Sequence, residues 1–253
     1  MTLYQRYVAL GDSQTEGVGD GDDITGLRGW ADRLAERLGD GNPSFQYANL
    51  AVRGRLSGEV RAEQLERALA LRPDIATVVA GVNDLLRPRF DAGEVAGHLE
   101  SMFATLTASG ARVATVTFPD ITRIIPLARP VRARITGLND RIRVAAARHG
   151  VAVAEIALHS AVADRRFWAE DRLHCSPLGH ALIADAVAHA LSLPGSDDSW
   201  TQPPAALPVP PRTLASELGW AATFLGPWLG RRLRGQSSGD ERTAKRPELS
   251  PIS

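Results

Sequence analysis

Ser13 is the first residue of the chain that could act as a nucleophile. It follows an apolar run of strand length, 7–10, and closes the small polar turn Gly11-Asp12-Ser13. A serine hydroxyl reacts poorly at neutral pH unless a base contacts it, a further group orients that base and donors stabilise the oxyanion. Ser13 alone also fits an ordinary turn residue or a helix N-cap, so the interpretation depends on those partners.

Candidates for each partner occur later in the chain. Asp171 and His174 are three residues apart before an apolar, Ala-rich stretch, so a single turn could present a carboxylate and an imidazole. Gly54 follows a second apolar run and offers an unobstructed backbone N–H. Asn83 follows a third run, where its side-chain amide could donate to a developing negative charge.

Together these motifs resemble those of the SGNH hydrolases of the GDSL family, over residues 7 to about 193. The resemblance rests on Gly11-Asp12-Ser13, Gly54, Gly81-Val82-Asn83-Asp84 and Asp171-Arg172-Leu173-His174, in this order. Gln14 departs from the family name, which has leucine after the serine, and we expect this to concern the subfamily more than the chemistry.

The resemblance implies a role for each motif residue. Ser13 would be the nucleophile, His174 the base and Asp171 the carboxylate that orients the base. The backbone N–H groups of Ser13 and Gly54, together with the side chain of Asn83, would form the oxyanion hole.

The implied activity is the hydrolysis of carboxylic esters through an acyl-enzyme on Ser13, as in serine esterases and lipases, with no metal or organic cofactor. The substrate would be a small-molecule or lipid ester. Two alternatives stay open: an acyltransferase that uses the same residues and, less favoured, a non-catalytic binding module. The sequence determines neither the acyl length, nor the alcohol, nor the oligomeric state.

Two other kinds of site are less favoured. Cys175 is the only cysteine and adjoins His174, but the oxyanion candidates serve the serine in the resembling family, and Cys175 stands where a helix cap is expected. Asp20, Asp22 and Asp23 suggest a calcium loop. However, the next ligand position holds Ile24 and no glutamate closes the motif, which favours a solvated loop.

Strand and helix patterns alternate along the chain. The predicted strands are 7–10, 46–52, 75 towards 83, 111–118 and 151–156, and the main predicted helices are 30–38, 58–71, 91–109, 131–149 and 176–193. Such alternation predicts an α/β fold whose parallel sheet, of about five strands, carries helices on both faces. The resemblance implies a flavodoxin-like three-layer α/β/α sandwich. The α/β-hydrolase elbow needs glycine where Thr15 stands, so that fold is rejected.

Composition excludes some partners. Among the 253 residues the formal net charge is zero, which argues against binding to nucleic acid through bulk electrostatics. No intrachain disulfide can form with one cysteine, and we find neither a secretory signal nor an apolar run of membrane-spanning length. The default expectation is a cytoplasmic protein.

The composition changes after Leu193. We predict a catalytic domain at 1–193, a Pro-rich linker at 194–212, an amphipathic segment at 213–234 and a disordered tail at 235–253. The amphipathic segment could contact a membrane surface weakly or cover the substrate cleft. Docking on the enzyme's own surface or on a second subunit is favoured, because Gly226-Pro227 should interrupt a long helix. The loop 119–130 either lines a substrate pocket or simply packs.

Overall fold

A computed structural model describes residues 4–202, 213–234 and 236–252, with only the backbone at positions 123, 126, 127, 229, 232 and 233. The described strands are β1 (Arg6–Gly11), β2 (Gly21–Asp22), β3 (Gly26–Leu27), β4 (Gln46–Asn49), β5 (Ile75–Val79), β6 (Arg112–Val116), β7 (Ala152–Ala154) and β8 (Arg246–Pro251). The described α-helices are α1 (Ser13–Glu16), α2 (Trp30–Gly39), α3 (Ser57–Ala70), α4 (Val82–Leu85), α5 (Ala92–Ala108), α6 (Arg132–Arg148), α7 (Pro177–Ala190), α8 (Leu214–Trp220) and α9 (Gly226–Leu233).

The main sheet confirms the predicted fold class. Its order is β7-β6-β5-β1-β4-β8, and the first five of these strands run parallel. If the parallel strands β1, β4, β5, β6 and β7 are counted 1 to 5 along the chain, their order across the sheet is 2-1-3-4-5. This is the flavodoxin-like order. The direction of winding changes beside β1, and in such sheets ligands bind at the carboxyl ends of the strands at this point. The nucleophile candidate follows β1 and Asn83 follows β5, so both lie at that position.

Helices cover both faces of the sheet. Helix α5 packs against both α3 and α6, and α2 packs against α7. Between these layers Tyr7 of β1 stacks on Tyr47 of β4, with ring centroids 5.1 Å apart. The buried hydroxyl of Tyr7 is 2.8 Å from the hydroxyl of Thr77 on β5. This bond matters for stability because an unpaired buried hydroxyl would cost about 1–3 kcal/mol.

The prediction of a disordered tail is wrong. Residues 246–251 form β8, which pairs antiparallel with β4 and places Ser250 opposite Tyr47. The guanidinium of Arg246 lies 5.5 Å from the centre of the Tyr47 ring. An edge strand pairs on one side only, so it tolerates the prolines that make this segment look unlike a strand.

The predicted interruption at Gly226-Pro227 is also wrong. Helix α8, a π-helical turn at Ala221–Leu225 and α9 follow one another directly, and we call this unit, Leu214–Leu233, the C-terminal helical segment. The Gly226 N–H donates to the Ala221 carbonyl, a π-type bond. Proline lacks the N–H that a regular α-helical ladder would use, and the wider turn accommodates this loss. None of the described helices combines the length and the apolar character that crossing a bilayer would require.

The predicted linker is partly ordered. Trp200 lies in a 3₁₀ turn, Ser199–Thr201, where its side chain is buried and its indole N–H donates to His189 Nδ1 at 3.1 Å. Residues 203–212, the remainder of the predicted linker, lie outside the described part of the chain.

Candidate active site

The turn between β1 and α1 fixes the position of Ser13. A Cβ atom on Gly11 would lie 2.4 Å from a carbonyl oxygen of β5, so only glycine fits there. The side-chain amide of Gln64 bonds both the N–H and the carbonyl of Gly11, at 2.8 and 2.9 Å. Asp12 caps α1 by accepting a backbone N–H at 3.2 Å. Ser13 therefore begins α1 with 9% of its surface exposed.

The structure brings Ser13, Asp171 and His174 together. His174 Nε2 is 2.9 Å from the Ser13 hydroxyl oxygen, and His174 Nδ1 is 2.5 Å from Asp171 Oδ2. The other carboxylate oxygen of Asp171 accepts the backbone N–H groups of Leu173 and His174, both at 3.0 Å. We call residues 171–174 the acid–base turn.

Electrostatics keep Asp171 ionised. Burial works to raise the pKa of this carboxyl, but the hydrogen bond and charge of His174 and the two backbone N–H groups outweigh it and lower the pKa to about 2. An ionised Asp171 accepts the Nδ1 proton of His174. The Nε2 lone pair is then directed at the Ser13 hydroxyl, as a general base requires.

Gln14 holds the acid–base turn against α1. Its side-chain N–H donates to the Leu173 carbonyl at 2.9 Å, and its side-chain oxygen accepts the Cys175 N–H at 3.4 Å. These bonds flank His174 on both sides. The sequence contains no signal for this role, since it depends on two segments that meet only in the fold.

Glu16 connects α1 to the turn that carries Gly54. The buried Glu16 carboxylate accepts the Arg53 backbone N–H and its guanidinium, both at 2.7 Å. Gly54 has a φ of 79°, in the left-handed region that favours glycine. A Cβ atom there would lie 2.1 Å from the Ser237 hydroxyl, so the chain after the C-terminal helical segment packs closely against Gly54.

Asn83 is oriented by its neighbours. Its side-chain amide donates to the Arg55 carbonyl at 3.1 Å and is 3.4 Å from an Asp12 carboxylate oxygen. Next to it, Asp84 accepts the backbone N–H and the hydroxyl of Ser57, at 2.9 and 3.0 Å. Ser57 is the first residue of α3 and follows the N-cap Leu56, so these bonds tie the start of α3 to Asp84.

Burial also shifts buried carboxyls beside the site. It raises the pKa of Asp12 to about 7, against the opposing effects of its hydrogen bonds and of nearby His174. Burial raises the pKa of Asp84 as well, against the hydrogen bonds from Ser57.

One cleft of about 530 Å³ connects the predicted residues, a volume within the range of roughly 300–1,000 Å³ that is typical of small-molecule sites. The predicted residues that line it are Ser13, Gly54, Asn83, Asp171 and His174. The loop 119–130 both lines the cleft and packs, because Ile121 and Ile125 face it while Ile124 is buried. The side chains of Arg123 and Leu127 lie outside the described residues.

Two sites that the sequence did not favour are Cys175, as an alternative nucleophile, and the loop with Asp20 and Asp23, as a calcium site. Cys175 is 3% exposed and burial raises the pKa of its thiol, so it is a poor thiolate nucleophile. Asp20 pairs with Arg33 at 2.5 Å, and Asp23 pairs with Arg53 at 2.8 Å. Within the part of the chain that the structure describes, no three His, Cys, Asp or Glu side chains are grouped as metal ligands would be.

His180 has a structural position behind the site. The backbone N–H of Trp30 donates to His180 Nδ1 at 3.2 Å, and His180 Nε2 is 3.1 Å from the Val18 carbonyl oxygen. Burial lowers the pKa of His180 to about 4, so it is neutral at physiological pH.

Several solved structures share the fold at low identity. LAE5, an alpha/beta hydrolase enzyme from the metagenome of Lake Arreo, Spain, is 23% identical, with 74% of this chain and 95% of LAE5 covered and a TM-score of 0.61. TesA is 22% identical, with coverages of 74% and 98% and a TM-score of 0.62. A variant of Axe2, an acetyl xylan esterase from Geobacillus stearothermophilus, is 18% identical, with coverages of 76% and 95% and a TM-score of 0.62. The search of curated proteins finds no match.

A family model gives a more specific result than these structures. The model of the GDSL-like Lipase/Acylhydrolase family matches residues 9–182, which include Ser13, Gly54, Asn83, Asp171 and His174. This match supports hydrolase activity and confirms the resemblance seen in the sequence. The chain therefore belongs to the GDSL-like lipase/acylhydrolase family.

Proposed function

We propose that the protein is a serine esterase that hydrolyses carboxylic esters through an acyl-enzyme on Ser13. One observation carries the proposal: a continuous hydrogen-bonded series runs from Asp171 through His174 to the Ser13 hydroxyl, with distances of 2.5 and 2.9 Å. This is the arrangement that nucleophilic catalysis by a serine requires.

The reaction follows from these contacts. His174 Nε2 takes the hydroxyl proton while the Ser13 oxygen attacks the ester carbonyl carbon, whose π-electron pair moves onto the carbonyl oxygen. The N–H groups of Ser13 and Gly54 and the Asn83 amide stabilise this oxyanion. The intermediate collapses, the leaving alcohol takes the proton from His174, and water activated by the same histidine then releases the acid.

Turnover of p-nitrophenyl acetate by wild type and Ser13→Ala tests the proposal. We expect a loss of at least about 10³-fold in kcat for the variant, because the covalent step is removed. Ser44→Ala is the matched control, since Ser44 is exposed and lies before β4, at the far end of the sheet. Quantifying the released acetic acid separates hydrolysis from acyl transfer to an alcohol. Equal turnover by wild type and Ser13→Ala would disprove the assignment.

A further inference from the structure

The C-terminal helical segment forms one wall of the cleft that contains Ser13 and His174. It contributes the partly exposed side chains of Trp220, Phe224 and Trp228. We call the residues that the family model matches, 9–182, the family core. Apolar side chains of the family core face the same cleft, and they include Leu85, Leu86, Ile121, Ile125 and Val131. Arg53, Arg87, Arg134 and Arg231 also line the cleft, but its lining surface is mainly apolar, and apolar side chains on both sides favour an aliphatic chain over a sugar.

The π-helical turn helps to keep the three aromatic side chains on one side. Positions 220, 224 and 228 are four residues apart, and this spacing drifts around a regular α-helix of 3.6 residues per turn. The wider turn at Ala221–Leu225 takes up part of that drift. Leu214 and Leu218 are instead 78% and 63% exposed, so they provide apolar positions on α8 that do not line the cleft.

Strong contacts attach this wall to the acid–base turn. Arg172 donates to both carboxylate oxygens of Glu217, at 2.7 and 2.8 Å, and its guanidinium lies 4.4 Å from the centre of the Trp220 ring. The indole N–H of Trp220 donates to the Asp171 carbonyl at 3.2 Å. Arg172 has a φ of 62°, which is uncommon for a residue other than glycine and persists only where the surroundings hold it.

The acid–base turn also has supports of its own. Asp171 accepts two backbone N–H groups within the turn, and Gln14 holds the residues on either side of His174. Loss of the Arg172–Glu217 pair should therefore loosen the wall and leave the reacting groups in place.

Cavity size indicates where a long chain would lie. A second, apolar cavity adjoins the cleft, and the two share the lining residues Leu85, Leu86, Ile121, Val131 and Leu173. The volume of this second cavity is only about 50 Å³. That is the space of a few water molecules. An extended chain therefore has to lie in the main cleft, against the C-terminal helical segment.

We propose that this segment is the chain-binding wall of the site and that the preferred substrates are esters with an extended aliphatic chain. This inference rests on the serine esterase activity proposed above. Each methylene group that becomes buried in the cleft would raise kcat/KM about fourfold, until the chain outgrows the wall.

The test uses the full-length protein with p-nitrophenyl acetate and p-nitrophenyl decanoate below its micellar concentration. Phe224→Ala should lower kcat/KM for decanoate about tenfold, mainly through KM, and change acetate turnover less than about twofold. Glu217→Gln should act in the same direction and more weakly, because it loosens the wall without removing it. Leu218→Ala is the matched control and should resemble wild type on both esters. Thermal unfolding of each variant verifies that it is folded.

Each outcome bears on one proposal or on both. Equal effects of Phe224→Ala on acetate and on the long-chain esters, or no effect on both decanoate and decyl acetate, would overturn the wall and leave the esterase assignment intact. A wild type that hydrolyses neither ester would remove both proposals. Decyl acetate, followed by release of acetic acid, adds a second arm: a loss confined to this ester supports the wall and assigns the chain to the alcohol side.

Discussion

The family core and the C-terminal arm, residues 213–252, contribute different kinds of contact to one cleft. The core contributes short hydrogen bonds among buried or half-buried groups, such as the 2.9 Å contact between His174 and Ser13. The arm contributes apolar side chains, an ion pair to Arg172 and a close packing of the Ser237 side chain against Gly54. The family match ends at residue 182, so the arm lies beyond it. Reactivity and selectivity are thus expected to reside in separate regions.

The largest expected effect tests the core half of this comparison. Asp171→Asn leaves a side chain of similar size but removes the charge that fixes the His174 tautomer, so kcat for p-nitrophenyl acetate should fall about 10³–10⁴-fold. Glu217→Gln, on the arm, should change the same kcat less than about threefold. Comparable losses for the two variants would show that the regions are not separable, and stopped-flow measurement of the acylation burst would locate the affected step.

A second prediction concerns pH and the buried Asp12. Its pKa is raised by burial from 3.8 to about 7, so the folded state favours the neutral form. The stabilising contribution is complete below about pH 4 and is lost as the pH rises to about 7, at up to about 1.4 kcal/mol per pH unit. Asp12→Asn should remove this loss and keep the N-cap.

The measurement is urea unfolding of wild type and Asp12→Asn between pH 4 and 8. The stability of the variant relative to wild type should increase up to about pH 7 and then level off, by about 4 kcal/mol at most. Asp171 titrates below this window because its pKa is about 2, so it does not mask the effect. A difference that stays constant with pH would contradict the shifted pKa of Asp12.

Much of the fold was predictable because its signals are local. Buried parallel strands are continuous apolar runs, and each predicted strand of the main sheet overlaps an observed one. The predicted set Ser13, Asp171 and His174 is also brought together, since its motifs follow or precede regular elements. The roles of these residues in catalysis stay predictions.

The contacts that orient the site were not predictable from the sequence. Gln64, Gln14 and Glu16 act by bonding backbone groups far along the chain, and the sequence pattern of a helix does not reveal such a partner. Strand β8 was missed because its prolines and polar residues resemble a disordered tail, although one hydrogen-bonded edge suffices to order it. The weak membrane-surface contact of the amphipathic segment stays a prediction.

A third prediction tests whether the side-chain bonds of Gln14 position His174. Gln14→Leu, which installs the residue expected from the family name, removes the bonds to the Leu173 carbonyl and the Cys175 N–H. The His174 ring should then be less well positioned, and kcat for acetate should fall about tenfold with little change in KM. Gln5→Leu, at an exposed position before β1, is the control. An unchanged kcat would mean that the bonds of Gln14 are not needed to position His174.

The smallest expected effect concerns the end of the arm that lies away from the cleft. Arg246→Ala removes the guanidinium that lies over the Tyr47 ring and donates to the Tyr47 carbonyl at 3.1 Å. We expect the free energy of unfolding to fall by about 1 kcal/mol, since a cation–π contact and the guanidinium's hydrogen bonds to Tyr47, Ser250 and Pro251 at a partly exposed edge are lost. Acetate turnover should not change, because β8 pairs with β4 at the edge of the sheet. Glu248→Ala, at an exposed position on the same strand, should leave stability within about 0.5 kcal/mol. If the two variants were equally stable, the Arg246 side chain would contribute nothing measurable to the free energy of unfolding.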